Sequence, residues 1–483
     1  MTAPAARLGD KAGRRDHYPL HTAAALFVAA VVLLPVLALA AIALTGGGAE
    51  WRYLATTVLP KSGATTLWLL AMVALASAVT GVAAAWAIVA FDFPLRRTLA
   101  WALVLPLAVP PYLAAYAFAE FFLYTGPVQG WLRWAFGFQT IRDYWFPDIR
   151  STGGAAFVMG SVLYPYVYMT TRIVFLMQGR HIADVARTLG ASPAKVFWRV
   201  LLPVARPAIV AGSALVAMET INDIGASEYL GVQTLTVSVY STWLNRGSLE
   251  GGAQIALVML ALVLLLVVAE ERARASQRFH AVRATHLTAR PRRMRLSGVW
   301  RFLVPLAVSL PVVTGFGIPL FVFGSYASRR LGEAFTAELG SAFANSVLTA
   351  ALTALLAVML ALFLINAVRL SRGPMMRAVV RMASTGYALP GGIVGLGLLF
   401  VLARFDNGID AMMRGSFAMP ERTAPSASAR KRIVQPSTTA AAVPDTMRPV
   451  EMPKLPRIIA SMPLSNRAST NSSPSPTMPP GKA

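Results

Sequence analysis

DVARTLGASPAKVFWRVLLP, Asp184 to Pro203, is a polar, basic stretch set between runs apolar enough to cross a bilayer. Ile182 to Leu189 carries apolar residues at helical spacing, and Gly190 stands where a left-handed C-cap is wanted. Ser192-Pro193 then reads as an N-cap followed by proline at the first helical position. The spacing predicts two short helices meeting at a fixed corner. Pro203 lacks a backbone donor, so the second helix is expected to break or kink where the chain re-enters an apolar run.

The surroundings of this hairpin decide the class of protein. The chain has 483 residues, 56% of them hydrophobic and 13% charged, with a mean hydropathy of +0.58. Apolar runs of about 20 residues or more recur along it, which makes it an all-α, polytopic integral membrane protein rather than a soluble one. Spans are expected at 22–44, 64–90, 98–124, 154–177, 204–222, 252–270, 301–325, 341–368 and 378–403. The first follows a basic segment (Lys11, Arg14, Arg15), yet its apolar stretch is too long for a typical signal peptide. With no cysteine, disulfides and thiolate metal ligands are excluded.

Lys and Arg set the orientation. Arg96 and Arg97, then Arg180, Arg187, Lys195 and Arg199, then nine arginines from Arg272 to Arg301, then Arg369, Arg372 and Arg377 fall on the side of the N-terminus. The positive-inside rule makes that side cytoplasmic. Loops at 45–63, 125–153 and 223–251 are then expected to face outward. The second of them holds Trp131, Trp134, Phe136, Phe138, Tyr144, Trp145 and Phe146, the residues of an interfacial aromatic belt. The same arginine distribution accounts for the net charge of +23 without nucleic acid, because no free recognition helix accompanies it.

A shift of 280 residues brings Ala71 onto Ala351, Leu75 onto Leu355, Pro94 onto Pro374, Arg97 onto Arg377 and Pro110 onto Pro390 without a gap. Prolines matching in a turn and at mid-membrane mark shared backbone events, so the chain reads as two homologous membrane domains. The expected organisation is an N-terminus at 1–21, a first domain of six spans at 22–270, a basic linker at 271–300, a second domain of three spans at 301–404 and a low-complexity tail at 405–483. A second hairpin would fall at 464–483, where the sequence is LSNRASTNSSPSPTMPPGKA and the motif is absent. The tail is either a disordered appendage or the mark of a truncated second domain. The abrupt stop of the repeat after Pro390 favours truncation, which would leave a separate chain to supply the missing half.

The pattern carried by Asp184, Ala186, Gly190, Val200, Leu202 and Pro203 resembles the cytoplasmic loop of permease subunits in binding-protein-dependent ABC importers. That loop usually opens Glu-Ala-Ala, whereas this one opens Asp184-Val185-Ala186. Met218 to Ala256 is similar to the fifth-span region of the ferric iron branch, whose members fuse two permease domains. The resemblance implies an alternating-access path in a bacterial inner membrane, a cytosolic ATPase dimer docked on the hairpin, and a periplasmic or lipid-anchored solute-binding protein. It assigns neither a catalytic residue nor a cofactor to this chain, which also lacks a phosphate-binding loop of the G-x-x-x-x-G-K-[ST] type, so ATP would be used by the partner subunit. Same-fold permeases for thiamine, a polyamine or a phosphonate, and a non-transporting membrane scaffold, are the alternatives.

Glu219, Asn222 and Asp223 fall at the outer end of the fifth span. Ionisable groups there line a path or gate, make structural hydrogen bonds, or end a helix in water. Tyr164, Tyr166, Tyr168 and Glu219 offer oxygen donors of the kind ferric iron takes, yet tyrosines in spans are more often packing residues. No resident metal site is expected.

Overall fold

The computed structural model describes residues 19–177, 190, 192–275, 293–333, 336–370, 379 and 391–416. It is a helical membrane bundle, and the helices below lie in the unit Met1–Asp410, with one running on past its edge. Helix α1 is Pro19–Thr45, and α2 (Gly48–Tyr53) runs through a π turn at Leu54–Val58 into α3 (Leu59–Ala90). The segment Gly48–Ala90 is thus one helical run of 43 residues, about 65 Å long against a hydrocarbon core of about 30 Å. The expected loop at 45–63 is therefore mostly helix. No proline or left-handed glycine interrupts it before Pro60, which occupies the tolerated start of α3.

The third expected span, 98–124, is not one helix. It consists of α4 (Arg96–Ala102), a 3₁₀ turn at Leu105–Ala108 and α5 (Pro111–Phe122), and the direction changes by 97° at the break. Pro110 and Pro111 cause the break, since neither donates a backbone hydrogen bond and each constrains the residue before it. Helix α6 (Pro127–Phe136) follows inside the expected loop at 125–153. There Trp131, Trp134, Phe136 and Trp145 are exposed, while Phe138 stacks on Tyr144 with centroids 5.0 Å apart.

Helix α7 (Thr152–Met177) is the axis of the bundle. A Cβ on Gly81 of α3 would stand 2.8 Å from Tyr168 N and 2.9 Å from Tyr164 O. After the short α8 (Pro193–Val196) comes α9 (Leu202–Asn222), where a Cβ on Gly212 would stand 2.7 Å from Thr170 Oγ1 and from Val167 Cα. Bare glycines thus let two helices approach the backbone of α7, the usual device where lipid supplies no hydrophobic drive for association. Tyr164 and Tyr168 are fully buried, and the Tyr168 hydroxyl donates to Ala100 O at 3.0 Å.

The expected outer loop at 223–251 is built into the bundle instead. It folds as α10 (Gly225–Tyr229), α11 (Leu235–Tyr240) and a π turn at Ser241–Asn245 before α12 (Leu249–Ala275). Its hydroxyls find buried partners: Ser238 and Ser62 share a 2.7 Å hydrogen bond, Leu235 N donates to Thr66 Oγ1 at 2.9 Å, and Thr236 Oγ1 donates to Ile221 O at 2.6 Å.

Past the linker, α13 (Trp300–Val312) passes through a π turn into α14 (Ile318–Arg329), followed by α15 (Ala337–Leu370) and α16 (Gly391–Ser416). The two halves exchange their first helices. Helices α13 and α14 pack on α3, α4 and α5, and α1 packs on α15 and, through Pro35 against Gly397, on α16. Helix α16 continues to Ser416, past the expected end of the ninth span, so 405–416 is helix rather than tail; Phe405 and Ile409 carry the helical spacing onward. Residues 1–18, most of the linker, 380–390 and 417–483 lie outside the described residues.

Among the described residues, six helical segments are long and apolar enough to cross a membrane, seven if the bent pair counts as a span. Nine spans are expected from sequence; α7 and α16, 26 residues each, fall outside that set. In α7 composition is the reason: it carries Tyr164, Tyr166, Thr170, Thr171 and Arg172 toward protein neighbours.

Candidate transport site and coupling hairpin

The hairpin exit is the best-defined part of the Asp184–Pro203 motif. Gly190 has φ +81°, the left-handed conformation expected of a C-cap glycine. Ser192 Oγ accepts from Lys195 N at 3.4 Å, and Ser192 O accepts from Val196 N at 3.0 Å, so the corner is capped as its sequence requires. Asp184 and Ala186 lie outside the described residues.

The first expected short helix, at 182–189, lies outside the described residues, and beyond the cap the second is not short. Pro193–Val196 flows through a π turn at Phe197–Leu201 into α9, and Ala194–Asn222 is one helical run of 29 residues. Pro203 causes no break. It sits at the second position of α9, and the wider turn before it, closed by Leu202 N donating to Phe197 O, takes up the missing donor. Val196 and Leu201 are buried in the main core, with Val200, Leu202 and Pro203 partly covered, while Lys195, Trp198 and Arg199 are exposed. Phe197 stacks on Trp86 of α3 with centroids 5.1 Å apart, which ties the hairpin exit to the last turns of α3.

The opposite end of the same helical run carries Glu219, Asn222 and Asp223. Tyr166 of α7 donates its hydroxyl to Glu219 Oε1 at 3.2 Å. Asp223 ends α9: its N–H donates to Glu219 O at 3.0 Å, and its Oδ1 accepts from Ala226 N at 2.6 Å. Burial raises the pKa of the Asp223 carboxyl; the Ala226 bond pulls the other way, and the nearby Glu219 charge adds to the rise. Asn222 Oδ1 and Ser227 Oγ are buried, and no hydrogen-bond partner is found for either among the described residues. Asp223 thus does helix-end work, while Glu219 faces α7 within the bundle.

Among the described residues no three His, Cys, Asp or Glu side chains stand close enough to hold a metal ion. The polar contacts of α11 with α3 escaped the sequence reading. Their signal is the run TLTVSVYST, Thr234 to Thr242, which alternates hydroxyl and apolar residues and contains neither charge nor glycine nor proline.

Residues 77–272 match the family model described as binding-protein-dependent transport system inner membrane component. The chain is 31% identical over 176 residues to a probable sulfate transport system permease protein of Chlorokybus atmophyticus, covering 36% of this chain and 58% of that one. It is 22% identical over 317 residues to an Fe(3+)-transport system permease protein of Haemophilus influenzae, covering 63% and 56%. A molybdenum transport system permease protein of Escherichia coli is 26% identical over 206 residues, covering 41% and 86%. The chain thus spans a little over half the length of the first two relatives. Residues 77–272 of this helical bundle carry the likeness to the inner membrane components of binding-protein-dependent transport systems.

Proposed function

We propose that this chain is a membrane-spanning permease of an ATP-driven importer, with ferric iron as its cargo and a bacterial inner membrane, N-terminus inside, as its place. The observation that carries the reading is the unbroken helical run from the capped corner to the polar end. Ala194–Asn222 has Ser192-Pro193 at one tip and Glu219, Asn222 and Asp223 at the other, about 44 Å apart. A cytosolic ATPase dimer docked on 180–203 would push on one tip and move the other, because a continuous helix transmits displacement that a loose loop absorbs. A periplasmic or lipid-anchored binding protein would deliver cargo to the opposite face. Glu219, Asn222 and Asp223 would line the path, and a separate permease chain would supply helices to cover α15.

Carboxylates and a phenol at the polar end suit a hard cation. Iron would pass as cargo without a resident site, as its weak, sparse donors allow. A second reading, oxyanion transport, is favoured by the higher identity to the sulfate and molybdenum permeases than to the iron permease. Cells carrying this chain with its ATPase and binding protein should take up radioactive ferric iron and leave sulfate outside. Inserting two glycines after Val196, in the first turn of the run, should abolish uptake while leaving the protein in the membrane. Sulfate uptake without iron uptake would replace the cargo, and undiminished uptake by the insertion variant would sink the coupling.

A further inference from the structure

We propose that α13 seats the two acyl chains of an anionic phospholipid, one on each side of the helix, with the headgroup held by Arg295 and Arg301. This rests on the membrane-spanning fold and not on the transport reading.

Two apolar cavities share the α13 residues Val304, Ala307 and Leu310. One, of about 490 Å³, lies between α13, α3 and α7 and is lined along α3 from Ala76 to Phe91. The other, of about 470 Å³, runs along the outer side of α13 past Trp300, Leu303 and Leu306. Fifteen residues from Ala76 to Phe91 cover about 22 Å, somewhat more than the roughly 15 Å hydrocarbon depth of one leaflet. At one end of the first cavity the Gly315 backbone meets Ser161 O and Gly160 lies against Ala76. In the proposal the mouth is the other end, lined by Phe91.

The charge at that mouth is positive. Phe91 and Asp92 form a short strand, β1, paired in parallel with β2 (Met294–Arg295), which sets Arg295 directly beside Asp92. Asp92 is engaged by Arg96 at 3.7 Å, and Arg96 also donates to Ile88 O at 3.3 Å. Arg295 and Arg301 are exposed, and Arg301 precedes Val304 by three residues and so shares its face of α13. Trp300, 61% exposed at the start of the helix, supplies the amphipathic ring that prefers headgroup depth. Two dry grooves of leaflet depth meeting at two exposed arginines match a diacyl lipid with a negative headgroup.

The test uses the full chain in lipid nanodiscs containing a phosphatidylglycerol with a photoactivatable group on one tail, diluted in phosphatidylcholine. Labelled peptides should concentrate in 76–91 and 304–314. Helix α15, whose membrane window is 0% buried, serves as the gauge of ordinary surrounding lipid. Each of Arg295→Gln and Arg301→Gln should cut groove labelling about fivefold, as expected for one surface arginine facing an anionic headgroup. Both sites are exposed, so an unchanged melting curve will certify the fold. Ala307→Trp should lower labelling in both grooves and leave α15 as it was. Equal labelling of α13 and α15, or equal groove labelling by a tail-labelled phosphatidylcholine, would overturn the proposal.

Discussion

Helices α3 and α15 occupy the same register of the 280-residue sequence repeat, yet they live in different surroundings. Along α3, Ser62, Thr66, Leu69, Val73, Ser77 and Gly81 are buried against α7, α9 and α11. Along α15 the matched positions Ala342, Ser346, Thr349, Thr353, Ala357 and Ala361 are exposed. A hydroxyl pair makes the difference concrete. Thr66 Oγ1 donates to Ser62 O at 2.7 Å and also accepts from Leu235 N at 2.9 Å, whereas its counterpart Ser346 only donates back to Ala342 O, at 2.8 Å. Thr353 likewise donates to Thr349 O at 2.8 Å. A membrane helix satisfies its backbone internally and can fold its hydroxyls onto its own carbonyls, so α15 is viable in lipid without neighbours. What α3 gains from its neighbours is close approach and hydrogen bonding, not escape from water.

Paired substitutions turn that comparison into measurements. The largest contrast is Gly81→Leu against Ala361→Leu. The first drives a side chain into the backbone of α7 at Tyr164 and Tyr168 and should cost about 3 kcal/mol or more, the upper range of overpacking. The second should change stability by less than about 0.5 kcal/mol. Thermal unfolding in detergent reads both, and equal shifts would erase the distinction between the helices.

A smaller contrast is Thr66→Val against Ser346→Val. Losing the acceptor of a buried backbone N–H should cost about 1–3 kcal/mol, while the exposed position should be close to neutral. The same unfolding assay applies, with Ser62→Ala as a companion that removes the link to Ser238.

The smallest effect belongs to Asp223. Burial raises its carboxyl, so the folded state binds this proton more tightly than the unfolded state does. Stability should therefore fall as pH rises from the ordinary carboxylate range through the raised pKa, and Asp223→Asn should flatten that part of the profile. The amide oxygen can still accept from Ala226 N. Asp223→Ala loses that bond as well and should melt lower than the asparagine variant. A profile unchanged in Asp223→Asn would place the buried charge elsewhere.

The sequence carried the helical membrane class and the corner at Gly190. Apolar runs and a left-handed glycine act through local backbone chemistry. Where tertiary packing decides, it misled. Thr234 to Thr242 has the polarity of a loop, but its Ser238 and Thr236 hydroxyls and its Leu235 N–H are spent on Ser62, Ile221 and Thr66, residues distant in the chain. Pro203 looked like a breaker because its effect was judged alone, whereas the preceding π turn accommodates it. On α7 the sequence did not mislead: Tyr164 and Tyr168, expected as packing residues, are fully buried. At the polar end, the residue types were readable but not the division of labour: Asp223 caps a turn, and Glu219 reaches Tyr166.

The most direct test of the coupling account is co-purification of the ATPase subunit with this chain in native membranes. Full-length protein should bring the ATPase with it. Gly190→Val, which strains a backbone held at φ +81°, and deletion of 184–190 should each lose it while still inserting in the membrane. Retention of the ATPase by the deletion variant at the level of the unaltered chain would contradict the assignment of Asp184–Pro203 as the coupling element.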